Sequence, residues 1–155
     1  MVAALGLGGC ADKEATYQGI AYAPTHEVKT VYHFRQVPPG CKVFAHVLIS
    51  FPADSDGSAM QQSVYGEAER RGADVVFLGQ SRQMEDDEAL QFRYYGPESE
   101  YDFRQQWKGW KWGFDQWRQQ GQWVGIGARE WGAATLRFEY PVMTQAAFLR
   151  CSANK

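Results

Sequence analysis

Two stretches of the chain have the continuous apolar character of buried β-strands. Residues 43–51 and 73–79 are rich in β-branched, leucine and aromatic side chains, which pack well inside a sheet. Weaker strand patterns, bounded by turn residues, fall at residues 19–35, 90–95, 134–140 and 144–151. Together these patterns predict six strands.

Residues 58–71 place apolar side chains near the spacing of an amphipathic helix, with Ser58 as the expected N-cap and Gly72 as the C-terminal stop. A second helix is predicted over residues 100–120. The predicted order is therefore β-β-α-β-β-α-β-β, which is typical of an α+β fold. We expect a single domain with an antiparallel or mixed sheet and with the helices packed on one face.

The second predicted helix is rich in aromatic residues. Its large rings recur at steps of three or four and would form one helical face; they are Phe103, Trp107, Trp110, Phe114 and Trp117. Trp112 falls off this face, and Trp123 lies nearby. Gly109 and Gly113 weaken the prediction, because each glycine costs a helix about 1 kcal/mol relative to alanine. This helix belongs to a tryptophan-rich insertion from about residue 97 to 132.

The length and charge of the chain limit what it can be. A chain of 155 residues is expected to form one domain around a single core. The formal net charge is -2 and both signs are interspersed, which argues against a nucleic-acid partner. No window supplies the roughly 20 apolar residues of a membrane-spanning helix.

The amino terminus contains a pattern typical of bacterial lipoproteins. Leu7-Gly8-Gly9-Cys10 has a branched apolar residue, two small residues and a cysteine whose sulfur would receive the lipid. We predict a lipid anchor on Cys10 and a location in the bacterial cell envelope, on the periplasmic or outer-membrane face. Residues 1–18 would then be a signal remnant and tether, and residues 19–155 the domain. Because no Lys or Arg precedes Cys10, a soluble protein with a glycine-rich start is the alternative.

The cysteines carry information about the redox environment. If Cys10 carries a lipid, Cys41 and Cys151 remain as an even pair, and an even pair in an exported chain suggests one disulfide. In a cytosolic protein both would be reduced. No Cys-x-x-Cys motif occurs, so a structural zinc site or a thioredoxin-like redox site is not expected.

Three segments resemble a family of small bacterial envelope lipoproteins that includes the outer-membrane stress-sensor lipoprotein of the Rcs system. They are Gly40-Cys41-Lys42-Val43, Glu69-Arg70-Arg71-Gly72-Ala73-Asp74-Val75-Val76 and Ala146-Ala147-Phe148-Leu149-Arg150-Cys151. The resemblance implies a bond between Cys41 and Cys151, which would bring the first core strand beside the last. It also implies an envelope location. Residues from about 80 to 132 lie outside the resemblance.

Little in the sequence points to catalysis or to a cofactor. The histidines are His26, His33 and His46. None of them has the His-Glu-x-x-His spacing of a zinc site, and the acidic residues 85–88 lack the ligand spacing of a calcium loop. No Gly-x-Ser-x-Gly elbow occurs, and Gly125-x-Gly127 is too short for a dinucleotide fingerprint. No catalytic, cofactor-binding or metal-binding residue is therefore predicted.

The aromatic helix is the candidate functional element. Its rings could fill the core, enter a bilayer with Lys108, Lys111 and Arg118 towards the headgroups, or contact a partner or a sugar. The candidate partner-binding residues are Phe103, Trp107, Trp110, Trp112, Phe114 and Trp117. We predict a non-enzymatic, lipid-anchored envelope protein that binds another envelope or surface component, for example as an accessory subunit of a complex. The alternative is a small ligand-binding or hydrolytic domain with a pocket between the aromatic helix and the sheet.

Overall fold

The structure, a computed structural model, describes Tyr17 and residues 19–151. The strands found there are β1 (Lys29–Val31), β2 (Lys42–Phe51), β3 (Ser55–Asp56), β4 (Val75–Gln83), β5 (Gln91–Tyr94), β6 (Tyr101–Asp102), β7 (Trp123–Val124), β8 (Arg137–Phe138) and β9 (Val142–Arg150). The helices are α1 (Gly57–Arg71), α2 (Phe103–Gln106) and α3 (Phe114–Trp117), and a 3-10 helix spans Phe34–Gln36.

Three long strands, β2, β4 and β9, form the centre of a mixed sheet. The strand order is β1-β4-β9-β2-β5, and the short strands β6 and β7 pair with further parts of β2 and β4. β9 is antiparallel to both β2 and β4, whereas β1 is parallel to β4. β3 and β8 form a separate two-stranded ribbon. The last strand of the chain therefore lies between the two strands that have the strongest apolar patterns.

α1 packs on one face of the sheet, which we call the helix face. Met60, Val64 and Ala68 lie four residues apart and are buried in one cluster with strand side chains that include Phe44 and Phe148. Full burial of a large apolar side chain contributes about 1.5–3 kcal/mol, so this cluster is a major part of the core.

The sequence prediction is wrong for the N-cap of α1 and correct for its C-terminal end. Asp56, not Ser58, is the N-cap, because the Asp56 carboxylate accepts a hydrogen bond from the Ala59 amide at 2.8 Å. The C-terminal end is confirmed at Gly72, which adopts a left-handed conformation with φ of 94°. The predicted helix is therefore present, and its N-cap lies two residues earlier than predicted.

Residues 103–124, which we call the aromatic segment, cover the opposite face of the sheet, which we call the aromatic face. Phe103 of α2 packs among Val43, Phe77 and Leu149, and Trp117 of α3 lies in a neighbouring cluster on the same face. The prediction of one continuous helix over residues 100–120 is wrong, because this region contains only two helices of four residues each.

The predicted helix is interrupted at two glycines. Trp107 ends α2 in an extended conformation, and Gly109 (φ 96°) and Gly113 (φ 59°) then adopt left-handed conformations that a continuing right-handed helix excludes. Gly113 also approaches the sheet so closely that a Cβ atom would lie 2.7 Å from Leu48 and 2.9 Å from Tyr95. Packing of the segment against the sheet therefore prevails over its helical periodicity.

The α+β class and the single domain with a mixed sheet are confirmed. The helices, however, are divided between the two faces, since α1 covers one face and α2 and α3 lie on the other. The additions to the predicted order are the two-residue strands β3, β6 and β7 and the division of the second helix into two.

A disulfide joins Cys41, just before β2, to Cys151, just after β9. The two Cα atoms are 4.1 Å apart, and the cysteines are separated by 110 positions in the sequence. The predicted bond is confirmed, and so is the pairing of the first core strand with the last. Cys10, the predicted lipidation site, lies outside the described residues.

The packed structure includes Tyr17, which the sequence prediction assigned to the tether. The Tyr17 ring meets Tyr94 edge to face at 4.6 Å, and the Arg71 guanidinium lies 4.1 Å above the Tyr17 ring centre. Its hydroxyl donates a hydrogen bond of 2.8 Å to the Ile20 carbonyl. Tyr17 therefore belongs to the domain.

Candidate functional site

The predicted contact residues of the aromatic segment have different environments, and two of them are buried. Phe103 has no exposed surface and Trp117 retains only 3% of its exposure. Phe103 packs against Phe77 with ring centres 5.2 Å apart, and Trp117 lies against Leu48. Both side chains belong to the core and not to a contact surface, which corrects the sequence prediction for these two residues.

Trp107, Trp110 and Trp112 are half-buried and pack against one another. Their ring centres are 5.0 to 5.7 Å apart in edge-to-face pairs, a favourable arrangement of the ring quadrupoles. Trp110 lies directly on β4, where a Cβ atom at Gly79 would come within 2.6 Å of its ring. Only a residue without a Cβ atom allows the backbone of β4 to approach the Trp110 ring so closely. The sheet and the aromatic segment therefore fit closely at this point.

Trp112 is fixed by two contacts with β2. Its indole nitrogen donates a hydrogen bond of 3.2 Å to the Val47 carbonyl, and its ring stacks on His46 with centres 3.9 Å apart and an interplanar angle of 4°. The segment is therefore joined to the sheet by a specific polar contact as well as by ring packing, although Trp112 lies off the predicted helical face.

His46 and Tyr101 form a hydrogen-bonded pair under Trp112, with 2.8 Å between His46 Nε2 and the Tyr101 hydroxyl. Burial lowers the pKa of His46 from 6.5 to about 4, against the opposing effect of a backbone hydrogen bond with Tyr95. Burial also raises the pKa of Tyr101 to about 12. Both groups are neutral near pH 7, so the pair supplies neither a strong base nor an ionised nucleophile.

Two large rings of the aromatic segment remain exposed to solvent. Trp123 is 60% exposed and Phe114 is 52% exposed. Phe114 lies on the single turn of α3, whose other ring, Trp117, is buried and contacts Trp123 with ring centres 5.8 Å apart. Of the predicted contact residues, only Phe114 is therefore largely exposed to solvent, and Trp123 is exposed as well.

Arg82 of β4 lies beside this surface, and we call Arg82, Trp117 and Trp123 the Arg82 site. Its guanidinium carbon is 4.8 Å from the ring centre of Trp123 and 5.4 Å from that of Trp117. Its Nε donates to the Gly121 carbonyl at 3.0 Å and its Nη1 to the Trp117 carbonyl at 3.3 Å. β4 and β7 position the site, because Arg82 is paired with Trp123 in the sheet.

Sequence reasoning missed Arg82 and gave no role to Trp123. The two residues are 41 positions apart and meet only because β7 pairs with the end of β4, which extends beyond the predicted strand at residues 73–79. Strict alternation from Phe77, which lies on the aromatic face, would put Arg82 on the helix face. The irregularity of β4 between Leu78 and Ser81 reverses this and brings Arg82 to the aromatic face, so no local signal could have found the site.

The aromatic segment differs in charge from the rest of the chain. It contains four basic residues and one acidic residue, which are Arg104, Lys108, Lys111, Arg118 and Asp115. Its formal charge is therefore +3, so the remainder of the chain carries -5, given the total of -2. All five side chains are exposed. The segment that carries the exposed rings is thus positively charged within a chain that is acidic overall.

A different polar cluster lies on the helix face. Glu67, which is only 6% exposed, accepts hydrogen bonds from Arg70, from Arg71 Nε at 3.0 Å and from the Tyr94 hydroxyl. Burial and the Glu67 carboxylate raise the pKa of Tyr94 far above its ordinary value. These groups satisfy one another, which indicates a structural role for the cluster.

A shallow cavity of about 280 Å³ lies between the 3-10 helix and the loop at residues 126–128, with Leu78 and Gly79 among its lining residues. This volume is slightly below the range of about 300–1,000 Å³ that is typical of ligand pockets. Its lining includes His33 but no carboxylate. The space between the aromatic segment and the sheet, where the alternative function needs a pocket, is occupied at Gly79 by Trp110.

The described part of the chain lacks a metal-binding group, an unpaired buried polar side-chain atom and a membrane-spanning helix. No group of three or more His, Cys, Asp or Glu side chains is arranged there to hold a metal ion. Every buried side-chain nitrogen or oxygen among residues 19–151 has a hydrogen-bond partner. None of the helices that the structure describes combines the length and the apolar composition needed to span a bilayer.

No family model, curated protein or solved structure matches this chain. The geometry and charge of the described residues are therefore the basis for the function, and the aromatic segment combines a positive charge with the two most exposed large apolar side chains among those residues.

Proposed function

We propose that this protein is a non-enzymatic, lipid-anchored protein of the bacterial cell envelope that binds another envelope or surface component through its aromatic segment. The observation that carries the proposal is the exposure of Trp123 and Phe114 on a basic segment of a chain that is acidic overall. Tryptophan and arginine are among the residues most enriched at the positions that contribute most to protein–protein binding.

The packing of the other rings supports a role in binding. Trp107, Trp110 and Trp112 hold the segment on the sheet, so the exposed rings are presented by a rigid surface. Ordering loops and side chains on association costs free energy, and a surface that is already ordered avoids much of that cost. The half-buried tryptophans therefore serve partner binding indirectly, by positioning Trp123 and Phe114.

The disulfide supports an envelope location. Disulfides persist in oxidising compartments and are rare in the cytosol, and the bond between Cys41 and Cys151 closes a long loop in this chain. The lipoprotein pattern that ends at Cys10 supplies the anchor. A single acyl chain binds a membrane only marginally, but a processed lipoprotein carries several chains and would stay attached.

Site-specific photocrosslinking in bacterial cells tests the binding proposal. A photoreactive phenylalanine analogue replaces Trp123 in one strain and Gln62, an exposed residue of α1, in the control strain. We expect a discrete crosslinked product at position 123 in the envelope fraction and none at position 62. Equal products at both positions, or none at position 123, would contradict binding through the aromatic segment.

Intact mass tests the anchor separately from the binding. The gene with its upstream region is expressed in a bacterium, and the purified protein is weighed before and after reduction. We expect a chain that begins at Cys10, carries added acyl mass and gains two protons on reduction. An unlipidated chain that retains the residues before Cys10 and has free thiols would overturn the envelope location.

A further inference from the structure

The Arg82 site contains a positioned cation with unused hydrogen-bond donors. A guanidinium has five N–H groups, and in this site the carbonyls of Gly121 and Trp117 accept from Nε and Nη1. No described Asp or Glu side chain lies within salt-bridge distance of Arg82. The other N–H groups, including both on Nη2, therefore have no acceptor among the described residues.

The surroundings of Arg82 favour binding of an anion. The rings of Trp117 and Trp123 lie beside the guanidinium, which excludes part of the solvent and strengthens a charge-assisted hydrogen bond. The two backbone acceptors fix the orientation of the planar fork, so little entropy remains to be lost on binding. The +3 charge of the aromatic segment attracts an anionic partner before contact is made, and this attraction exceeds the opposing charge of Glu85, whose carboxylate lies near Gly121.

Two features favour a protein carboxylate over a lipid surface. Binding of an interfacial element to a bilayer grows with the apolar area that it inserts, and the continuous aromatic helix that would supply such an area is absent from residues 100–120. Within the aromatic segment only Phe114 and Trp123 extend their rings into water, whereas Trp107, Trp110 and Trp112 pack towards the sheet. A half-buried arginine between tryptophans is instead the type of site that accepts one carboxylate in a planar, two-pronged contact.

We infer that the Arg82 site binds an acidic segment of a protein partner, with one Asp or Glu carboxylate on the free edge of the Arg82 guanidinium and an adjacent side chain packed on Trp123. This inference rests on the proposed function, since it names the chemistry of the partner that the aromatic segment would contact. Arg118, exposed on the turn after α3, adds to the attraction without being part of the site.

A peptide titration of the purified full chain tests the inference. The probe is a deca-glutamate peptide without aromatic residues, and binding is followed by the intrinsic tryptophan fluorescence, to which Trp123 contributes. We expect saturable quenching or enhancement that weakens as salt is raised, and no change with a deca-glutamine peptide. Arg82→Gln should weaken binding at least about tenfold, since it removes one side of a partly desolvated charge pair.

Matched variants separate the site from the general charge of the protein. Arg137→Gln, which removes an exposed arginine on β8, should leave the affinity within about twofold. Arg82→Lys keeps the charge but not the planar fork, so it should resemble Arg82→Gln more than wild type. Trp123→Ala removes the exposed ring that packs beside Arg82 and Trp117 and should also weaken binding. Circular dichroism and the unfolding midpoint confirm that each variant is folded.

The outcomes distinguish this inference from the proposed function. A crosslink at position 123 in cells, together with peptide binding that Arg82→Gln leaves unchanged, would overturn the acidic-segment inference and leave the binding function standing. Absence of peptide binding, combined with binding to anionic phospholipid vesicles, would likewise overturn it. Absence of any crosslink at position 123 would remove the proposed function itself.

Discussion

The two faces of the sheet are stabilised in different ways. On the helix face, one fifteen-residue helix covers the strands with aliphatic side chains at regular spacing, and its buried charge, Glu67, is satisfied within the face. On the aromatic face, most of residues 103–124 lies outside helices and strands, and large rings fill the space that secondary structure leaves. The comparison teaches that ring area and covalent closure can replace a helix as the covering layer of a sheet.

The difference extends to the position of the disulfide and of the candidate site. Cys41 and Cys151 both lie in the cluster of the aromatic face, together with Phe103. The exposed rings and Arg82 lie on the same side, whereas the buried polar groups of the helix face satisfy one another. We therefore expect stability on the helix face to depend on apolar and ionic packing, and stability on the aromatic face to depend on the disulfide and on close ring contacts.

Removing the disulfide should give the largest effect. Replacing both cysteines, Cys41→Ala with Cys151→Ala, should lower the free energy of unfolding by about 4–5 kcal/mol, because the bond joins cysteines 110 positions apart and so closes a long loop in the unfolded chain. Urea unfolding followed by tryptophan fluorescence measures the change. A loss below about 1 kcal/mol would show that the aromatic face closes without covalent help.

Removing the buried carboxylate should give a comparable effect on the helix face. Glu67→Ala deprives the Arg71 guanidinium and the Tyr94 hydroxyl of a shared acceptor, and breaking a buried ion pair typically costs about 3–5 kcal/mol. Glu69→Ala changes the charge of the same helix equally and should cost less than about 1 kcal/mol. Similar losses for both variants in thermal unfolding would indicate that helix charge, not the buried cluster, is responsible.

Acidification should act on the aromatic face through His46. Its pKa in the folded protein is about 4, below the ordinary 6.5, so between these values the unfolded chain binds the proton more readily. This contribution to stability is complete above about pH 6.5 and declines as the pH falls towards 4, by about 2–3 kcal/mol in total. Unfolding free energies measured across this interval should fall more steeply for wild type than for His46→Gln.

The control for this pH dependence is His33→Gln. His33 is an exposed histidine before the 3-10 helix, and its replacement should leave the wild-type slope unchanged. If His46→Gln shows the same slope as wild type, the stacked pair of His46 and Trp112 does not hold the imidazole in its neutral form.

The helix face could be predicted from the sequence because its local patterns agree with its tertiary role. Residues 43–51 and 58–71 have the apolar spacing of the elements that they form, and Gly72 supplies the left-handed stop that the helix needs. The disulfide was predictable for a similar reason, since the two cysteines that remain when Cys10 is assigned to a lipid have one way to bond. Each of these inferences depends on residues that are close in the sequence or on the number of cysteines.

The aromatic face could not be predicted in the same way. Rings at steps of three or four fit a helical face, but they also fit a chain that crosses a flat sheet and turns at glycines, and only contact with the sheet decides between these arrangements. The Arg82 site depends on the irregularity in β4 and on the pairing of β4 with β7, which local periodicity does not encode. The functional candidate therefore lies where local signals are weakest.

The smallest effects are expected from two glycine substitutions, which compare the helix face with the aromatic face. Gly66 is exposed in α1 and an added Cβ atom would meet only open space, so Gly66→Ala should stabilise the protein by about 0.5–1 kcal/mol through helix propensity and a lower entropy of the unfolded chain. Gly79→Ala should destabilise it by about 1–3 kcal/mol, because the new Cβ atom would lie 2.6 Å from the Trp110 ring and force the aromatic segment away from the sheet. Unfolding midpoints of the two variants should thus move in opposite directions. If Gly79→Ala is neutral, the aromatic segment can shift at little cost, and the rigidity that we attribute to the surface around Trp123 would be contradicted.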